Sequence, residues 1–385
     1  MMELVKSGAR SYLRRTLGVF LGIPVGWILV IGAVVALFRN EGRTVKVERT
    51  LGEARTNFVS IGPGEINPAA DGRLVHVQGH VSTGETLRDP VFEVSAQVLR
   101  LKRLVETFQW RERSREVTEQ SASGPRKRTS YDYEQVWAAR RIDSSKFKQL
   151  SGHENPPAAP FPCADWEAKQ FHLGAFTLQK TLRDELKGYE PFGIRVGEPP
   201  AQVRQLGFRP LIASFYFGND PMSPQIGDVR VVYEAVQPQD VSIIAGQQRA
   251  TLGPYQTRSG GTVSMLNRGS KSAAEMFHDA LWWNTVLKWL WRIGGFIALW
   301  LGYNLALGPL TALSRMLPGL LGGLALATGF ATFFLAVAVT LVTTSIAWLA
   351  YRPKYGLPML AGGIVLMLAI GWWGNRKREG HTAAA

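Results

Sequence analysis

The sequence predicts a membrane protein of the α+β class, with one N-terminal and three C-terminal transmembrane helices and a large β-rich extracytoplasmic domain between them. Three observations predict it. Long uncharged apolar runs are confined to the two ends of the chain. Tryptophan and tyrosine crowd the edges of those runs. The polar middle alternates with a period of two, as strands do.

The chain has 385 residues, 44 Lys and Arg against 30 Asp and Glu, one Cys and 12 Trp. The single Cys163 rules out an internal disulfide and a cysteine zinc cage. Residues 1–16 read as a cytoplasmic tail carrying Lys6, Arg10, Arg14 and Arg15. The run 17–38 follows. At about 1.5 Å of rise per residue it can cross a hydrocarbon core of roughly 30 Å. It ends in Leu37-Phe38-Arg39 rather than a small-residue cleavage site, so an uncleaved anchor is expected. Residues 289–314, 319–350 and 357–373 read as the second, third and fourth spans, and 374–385 as a cytoplasmic C-terminal tail. Trp282, Trp283, Trp289 and Trp291 stand before or at the start of the second span, Trp348 closes the third, and Trp372 and Trp373 close the fourth. Rings that are apolar with one polar atom are membrane-interface anchors.

Cations cluster before span one, at Arg315 and at Arg376-Lys377-Arg378, so both termini are expected to be cytoplasmic. Residues 39–288 then form the periplasmic or lumenal domain. Their basic balance is expected to meet lipid headgroups and no nucleic acid, because no aromatic-basic recognition module accompanies it.

Within the middle, "RLVHVQGHV" alternates, so His76 and His80 lie on a strand about 13 Å apart and cannot share one metal ion. A long hairpin is expected next, with one arm about 98–116 showing Leu104, Phe108 and Trp110, and a second showing Tyr131, Tyr133, Gln135 and Trp137. Phe108, Trp110, Tyr131, Tyr133 and Trp137 are the candidates for a protruding interaction arm; packing within the sheet is the competing explanation. The Pro-rich stretch 153–166 is a connection holding Cys163, with His153 and His172 near it in sequence only. Leu178, Leu182 and Leu186 predict a short helix ending before Gly188. "GDVRVVYEAV" and "DVSIIAGQQR" predict a second hairpin. Ser272 and Glu275 form a capping box for a helix that enters the second span.

Certain residues resemble a known family in order along the chain: "NEGR" (Asn40–Arg43), "GRLVH" (Gly72–His76), Asp89-Pro90, Gln109-Trp110, Tyr131 with Trp137, "HENP" (His153–Pro156), "GDVR" (Gly227–Arg230), Phe277-His278 and "YRP" (Tyr351–Pro353). The pattern is similar to the LUMA (transmembrane protein 43) family. That resemblance implies a non-enzymatic organiser of membranes that self-associates and gathers other membrane proteins. It implies the inner nuclear membrane and endoplasmic reticulum for a eukaryotic member. A prokaryotic member would sit in the bacterial inner membrane with a periplasmic domain.

The residues agree with a scaffold. The apolar stretches themselves, Ile293–Leu313 in the second span, hold no ionisable residue, and Asn304, Thr340, Thr343 and Thr344 are expected to bond between helices. Gly18, Gly22 and Gly26, and Ala298, Gly302 and Ala306, form small-residue rows for close helix packing, within one chain or between copies. The expected partners are the lipid bilayer, further copies of the chain and other membrane proteins. No catalytic motif, cofactor or metal set is present. Asp89, Glu106, Glu112 and Asp228 are read as solvated carboxylates. A ligand-binding channel, transporter or sensor is the alternative, and a membrane-bound hydrolase the next.

Overall fold

A computed structural model describes residues 2–121, 124–194, 198–309, 324–355 and 357–358. Arg315, the expected fourth span beyond Pro358 with Trp372 and Trp373, and the tail 374–385 lie outside the described residues. The chain divides into two compact units, one of residues 1–57, 256–262 and 274–385, the other of residues 58–255 and 263–273.

Among the described residues, the first unit is built on three long helices, α1 (Met2–Asn57), α2 (Ala273–Ala306) and α3 (Leu324–Tyr351). The segments Leu21–Asn57 and Thr328–Tyr351 are long and apolar enough to cross a membrane. The described part of α2 falls short of that measure, because tryptophans, Tyr303 and Asn304 dilute its apolar run. α2 starts directly after Ser272, where the capping box places it, and runs unbroken through the tryptophan cluster.

α1 does not stop with its apolar run. Residues 39–57, expected to open the β-rich region, continue the helix. Leu37, Val45, Leu51 and Ala54 keep an inward stripe along it, and Asn40, Glu41 and Thr44 fill the turns between them. Because that stripe is partly polar, hydropathy alone ends the helix too early.

The second unit is β-rich. Its strands are β1 (Val59–Ile61), β2 (Leu74–Ser82), β3 (Leu87–Asp89), β4 (Val94–Ala96), β5 (Arg100–Ser121) and β6 (Gly124–Ala138). They continue as β7 (Ala164–Glu167), β8 (His172–Leu173), β9 (Phe176–Leu178), β10 (Glu190–Pro191), β11 (Arg209–Leu211) and β12 (Ser214–Phe217). The last are β13 (Val229–Val236), β14 (Gln239–Gln248), β15 (Thr251–Gly253) and β16 (Met265–Arg268). One sheet runs β1-β2-β8-β9-β15-β14-β16, and β2 also pairs with β14, so five strands close on themselves. The other runs β11-β12-β13-β5-β6, with β10 on β13 and β7 on β5. Val77, Phe171, Leu173, Phe176, Leu101, Val231 and Ile243 are among the buried residues of one shared core.

The long hairpin forms as expected. β13 accompanies β5 only from Arg100 to Thr107, whereas β6 pairs with it from Thr107 to Ser121. The distal half is therefore a two-stranded ribbon.

Two expectations change. β13 and β14 are consecutive but do not pair; β13 lies between β12 and β5, and β14 between β2 and β15 or β16. Pro238 interrupts the connection, and the chain crosses from one sheet to the other, as corner strands do in packed sheets. The predicted helix on 178–186 is one turn, Lys180–Arg183, because Leu178 belongs to β9; Leu182 and Leu186 are buried beside it, and Gly188 follows with φ of 111°. On β5 the core face is Leu101, Arg103, Val105, Thr107 and Gln109, not the face of Leu104. Three of these five core positions are polar, which hid the true alternation.

Candidate functional site

The small-residue rows meet inside one chain. A Cβ on Gly26 would lie 2.5 Å from the Gly302 carbonyl oxygen and 3.0 Å from the Ala306 Cβ, and a Cβ on Gly22 would lie 3.1 Å from the Leu305 carbonyl oxygen. Gly302 in turn faces Val30. Backbones come this close only where both helices lack side-chain bulk, and dispersion then accumulates along the seam. Ala298 packs beside it against a cluster of Val30, Ala33, Leu37, Leu299, Tyr303 and Ala336. Gly18 lies further back on α1. The polar positions bond within their own helices rather than between them. Asn304 donates to the Trp300 carbonyl at 2.7 Å, Thr340 to Ala336 at 2.7 Å and Thr344 to Thr340 at 2.8 Å, while Thr343 is buried. Short polar side chains can reach the carbonyl four residues back, which removes the need for a partner helix.

Above the seam is a polar clasp that the sequence reading missed. Glu41, 1% exposed, pairs with Arg292 at 2.7 Å and accepts from Trp348 Nε1 at 3.0 Å, so one carboxylate joins all three helices. The Arg292 guanidinium lies 5.0 Å from the Trp289 ring and 5.8 Å from the Trp348 ring. Asn284 donates to the Thr44 carbonyl and accepts from Arg43, and Asn40 donates to the Lys288 carbonyl. Glu48 binds Arg352 and lies 4.0 Å from Lys288. Tyr351 packs against Gly42 and the Phe38 ring. "NEGR" and "YRP" are thus the two sides of one fastening. A cluster of polar residues directly after an apolar run was the available signal.

Trp282, Trp283, Trp289 and Trp291 are all about half exposed on α2, with Trp282 and Trp283 in edge contact at 5.2 Å. Trp348 is the exception, because its indole N–H is committed to Glu41.

On the ribbon, Phe108, Trp110, Tyr131, Tyr133 and Trp137 occupy one face, since Phe108 opposes Trp137, Trp110 opposes Gln135 and Tyr131 opposes Ser114. Most of the row is covered from within. Phe108 lies 5.2 Å from Trp137, which also meets Tyr216 and carries the Arg230 guanidinium at 4.5 Å. His153 stacks on Tyr133 at 3.8 Å and touches the Trp110 ring. Tyr131 is exposed, as is Val117 on the facing strand. The "HENP" segment holds this cover in place. Asn155 accepts from the Trp110 N–H at 2.6 Å and donates to the Trp110 and Ile142 carbonyls, acting as a short substitute strand. Gln109 bonds Ala138, Arg140 and Ile142 in the same manner.

All four carboxylates are engaged by partners, and Asp89 and Asp228 are buried. Asp89 is fully buried, with Arg103 at 2.7 Å from both oxygens and the Tyr233 hydroxyl donating at 2.6 Å. Burial and that carboxylate together push the Tyr233 hydroxyl far above its ordinary range. Asp228 accepts from Tyr216 at 2.6 Å and from the Gln225 N–H, with the same direction of shift on Tyr216. Glu106 binds Arg230 at 2.7 Å, and Glu112 accepts from Tyr133 and from the Lys148 N–H. A buried charge persists only where a partner neutralises it, which is why these acids come with arginine or tyrosine.

His76 is 7% exposed. Its Nε2 lies 3.1 Å from the Lys271 carbonyl and so donates to it, and burial lowers its pKa. His80 faces Asp240 at 2.9 Å on the other half of the strand. Cys163 Sγ accepts from the Val105 N–H at 3.4 Å. It lines a small cleft of about 330 Å³ together with Thr107, Gln109, Arg141 and the prolines 157, 160 and 162. Neither histidine nearby in sequence serves it, since His153 is stacked on Tyr133 and His172 is in β8.

The sequence model of a family described as "Transmembrane protein 43" matches residues 107–353. Transmembrane protein 43 of Pongo abelii is 31% identical over 94% of this chain and 92% of its own length. The Homo sapiens protein is 31% identical over 90% and 88%, and the Drosophila melanogaster homolog 26% over 88% and 91%. No solved structure matches the chain. The similarity thus spans the helices and the β-rich unit alike, and the chain belongs to the transmembrane protein 43 (LUMA) family of membrane proteins.

Proposed function

We propose that the chain is a non-enzymatic scaffold with four membrane spans, both termini in the cytoplasm and its β-rich domain outside it, which self-associates and organises other membrane proteins. The observation that carries this reading is where the polar groups go. Asp89, Asp228, Glu41 and Glu106, the groups best suited to general acid or base work, are committed to arginine, tyrosine and tryptophan partners inside the fold. Asn304, Thr340 and Thr344 are committed to their own helices, which leaves a transport path without their lining. What remains free is apolar helix surface, including Ile28, Ile31, Leu341 and Val342, suited to lipid or to other spans.

Gly22, Gly26, Gly302 and Ala306 are used between helices of one chain, so contacts between copies belong on the outer domain, at the ribbon of β5 and β6. The test is light scattering of the full chain in mild detergent. Beside it runs a variant in which residues 116–129 are replaced by Asn-Gly, a turn that joins the paired Arg115 and Ser130. The expected wild-type particle contains several 42.5 kDa chains, and the shortened chain is a folded monomer. A monomeric wild type would sink the scaffold; unchanged assembly of the shortened chain would remove the ribbon from it.

A further inference from the structure

The turn that leaves α3 carries a feature the scaffold does not use. Trp348, Arg352, Lys354, Tyr355 and Pro358 line a cavity of about 370 Å³. That is within the range of small-ligand pockets, roughly 300–1,000 Å³. We infer that this cavity binds the phosphate headgroup of an anionic phospholipid. The inference rests on reading α3 as a membrane span.

Charge is the first argument. Arg352 is held by Glu48, Lys288 shares the same carboxylate, and Arg49 donates to the Tyr351 carbonyl at 2.7 Å. Lys354 is exposed and has no hydrogen-bond or ion-pair partner among the described residues. Glu41 behind Trp348 is matched by Arg292, so among the described residues Arg352, Lys288, Arg49 and Lys354 share the single remaining acid, Glu48. Short loops on the translocated side of a membrane are ordinarily poor in Lys and Arg, so two cations in this turn call for an anion from elsewhere.

Depth is the second. Trp348 reaches Glu41, and Arg352 reaches Glu48, so the cavity lies beside the turns of α1 that directly follow Phe38 and the apolar run. Headgroups occupy that band. The third argument is the wall. Trp348, Tyr355 (67% exposed) and Pro358 are apolar surfaces, with exposed Leu357 next in the chain. A free phosphate has no use for them, whereas a phosphate carrying acyl chains covers them while Lys354 and Arg352 meet its oxygens. Arginine supplies a planar fork for two oxygens and lysine a point charge.

The experiment is native mass spectrometry of the full chain in detergent, titrated with phosphatidylglycerol, phosphatidylcholine or inorganic phosphate. Lys354→Gln is the main variant because its side chain is exposed and its loss spares the Glu48–Arg352 pair; Lys187→Gln, an exposed lysine away from the ribbon, is the control. The inference expects a retained phosphatidylglycerol adduct, little phosphatidylcholine, and about fivefold weaker phosphatidylglycerol binding in Lys354→Gln, the weight of one basic residue at an anionic surface. Lys187→Gln binds as wild type. Equal binding of both lipids, an unchanged Lys354→Gln, or displacement of the lipid by millimolar inorganic phosphate would overturn it. Release of the protein from membranes by alkaline carbonate would instead strike the membrane reading beneath it.

Discussion

Asp89 shows how a single residue can be decisive without touching a substrate. Both its oxygens are taken by Arg103 and Tyr233, in a position closed to solvent. Asp89→Ala leaves Arg103 buried without its counter-charge, a change that typically costs about 3–5 kcal/mol. Tyr233→Phe removes one hydrogen bond, and about 1 kcal/mol is expected. Thermal unfolding of the two variants in detergent should rank them in that order. His76 makes a prediction in pH. Its folded pKa lies below its ordinary 6.5 because burial penalises the imidazolium. The stability tied to neutral His76 is therefore present above about pH 6.5 and drains away as pH falls below it, since the unfolded chain then takes up the proton first. Melting temperature should drop between pH 7.5 and pH 5, and His76→Gln, which keeps a donor for the Lys271 carbonyl, should flatten part of that drop. An identical slope in the variant would assign the acid sensitivity to other groups.

At the scale of elements, the α1–α2 seam and the clasp above it are the parts most open to test. Gly26→Leu drives a side chain into the Gly302 backbone, and about 1–3 kcal/mol or more of destabilisation is expected from overpacking. Gly32→Leu, six residues along the same helix and open around its Cα, should melt as wild type. Equal effects of the two would show that the helices pack otherwise. Glu41→Ala strands Arg292 and should cost about 3–5 kcal/mol, with Arg292→Met in the Glu41→Ala background recovering much of it. These elements also show where the sequence was readable. Strand β2, the β5–β6 hairpin and the start of α2 follow from alternation, turn residues and a capping box, all local signals. The pairing of β13 with β12 and β5 was not readable, because two strands joined by a short Pro-containing link look like a hairpin from sequence. The core face of β5 was hidden because Arg103 and Gln109 stand where apolar residues are expected. The clasp was hidden for the same reason, since its partners Glu41, Arg292 and Trp348 meet only once three helices are assembled.

Across the whole molecule, the residues that resemble the LUMA family turn out to share a structural theme. Glu41 in "NEGR", Asp89, Gln109, Asn155 in "HENP", Asp228 in "GDVR" and Arg352 in "YRP" all fasten one segment to another. Such a set of fastenings preserves a shape, as the proposed scaffold role requires. Native mass spectrometry of the chain released from its own membranes in mild detergent tests that claim most directly. A defined assembly of several copies, alone or with another membrane protein, is the expected result. A monomer that carries one stoichiometric small-molecule adduct would contradict it and would make a ligand pocket, rather than assembly, the centre of its function.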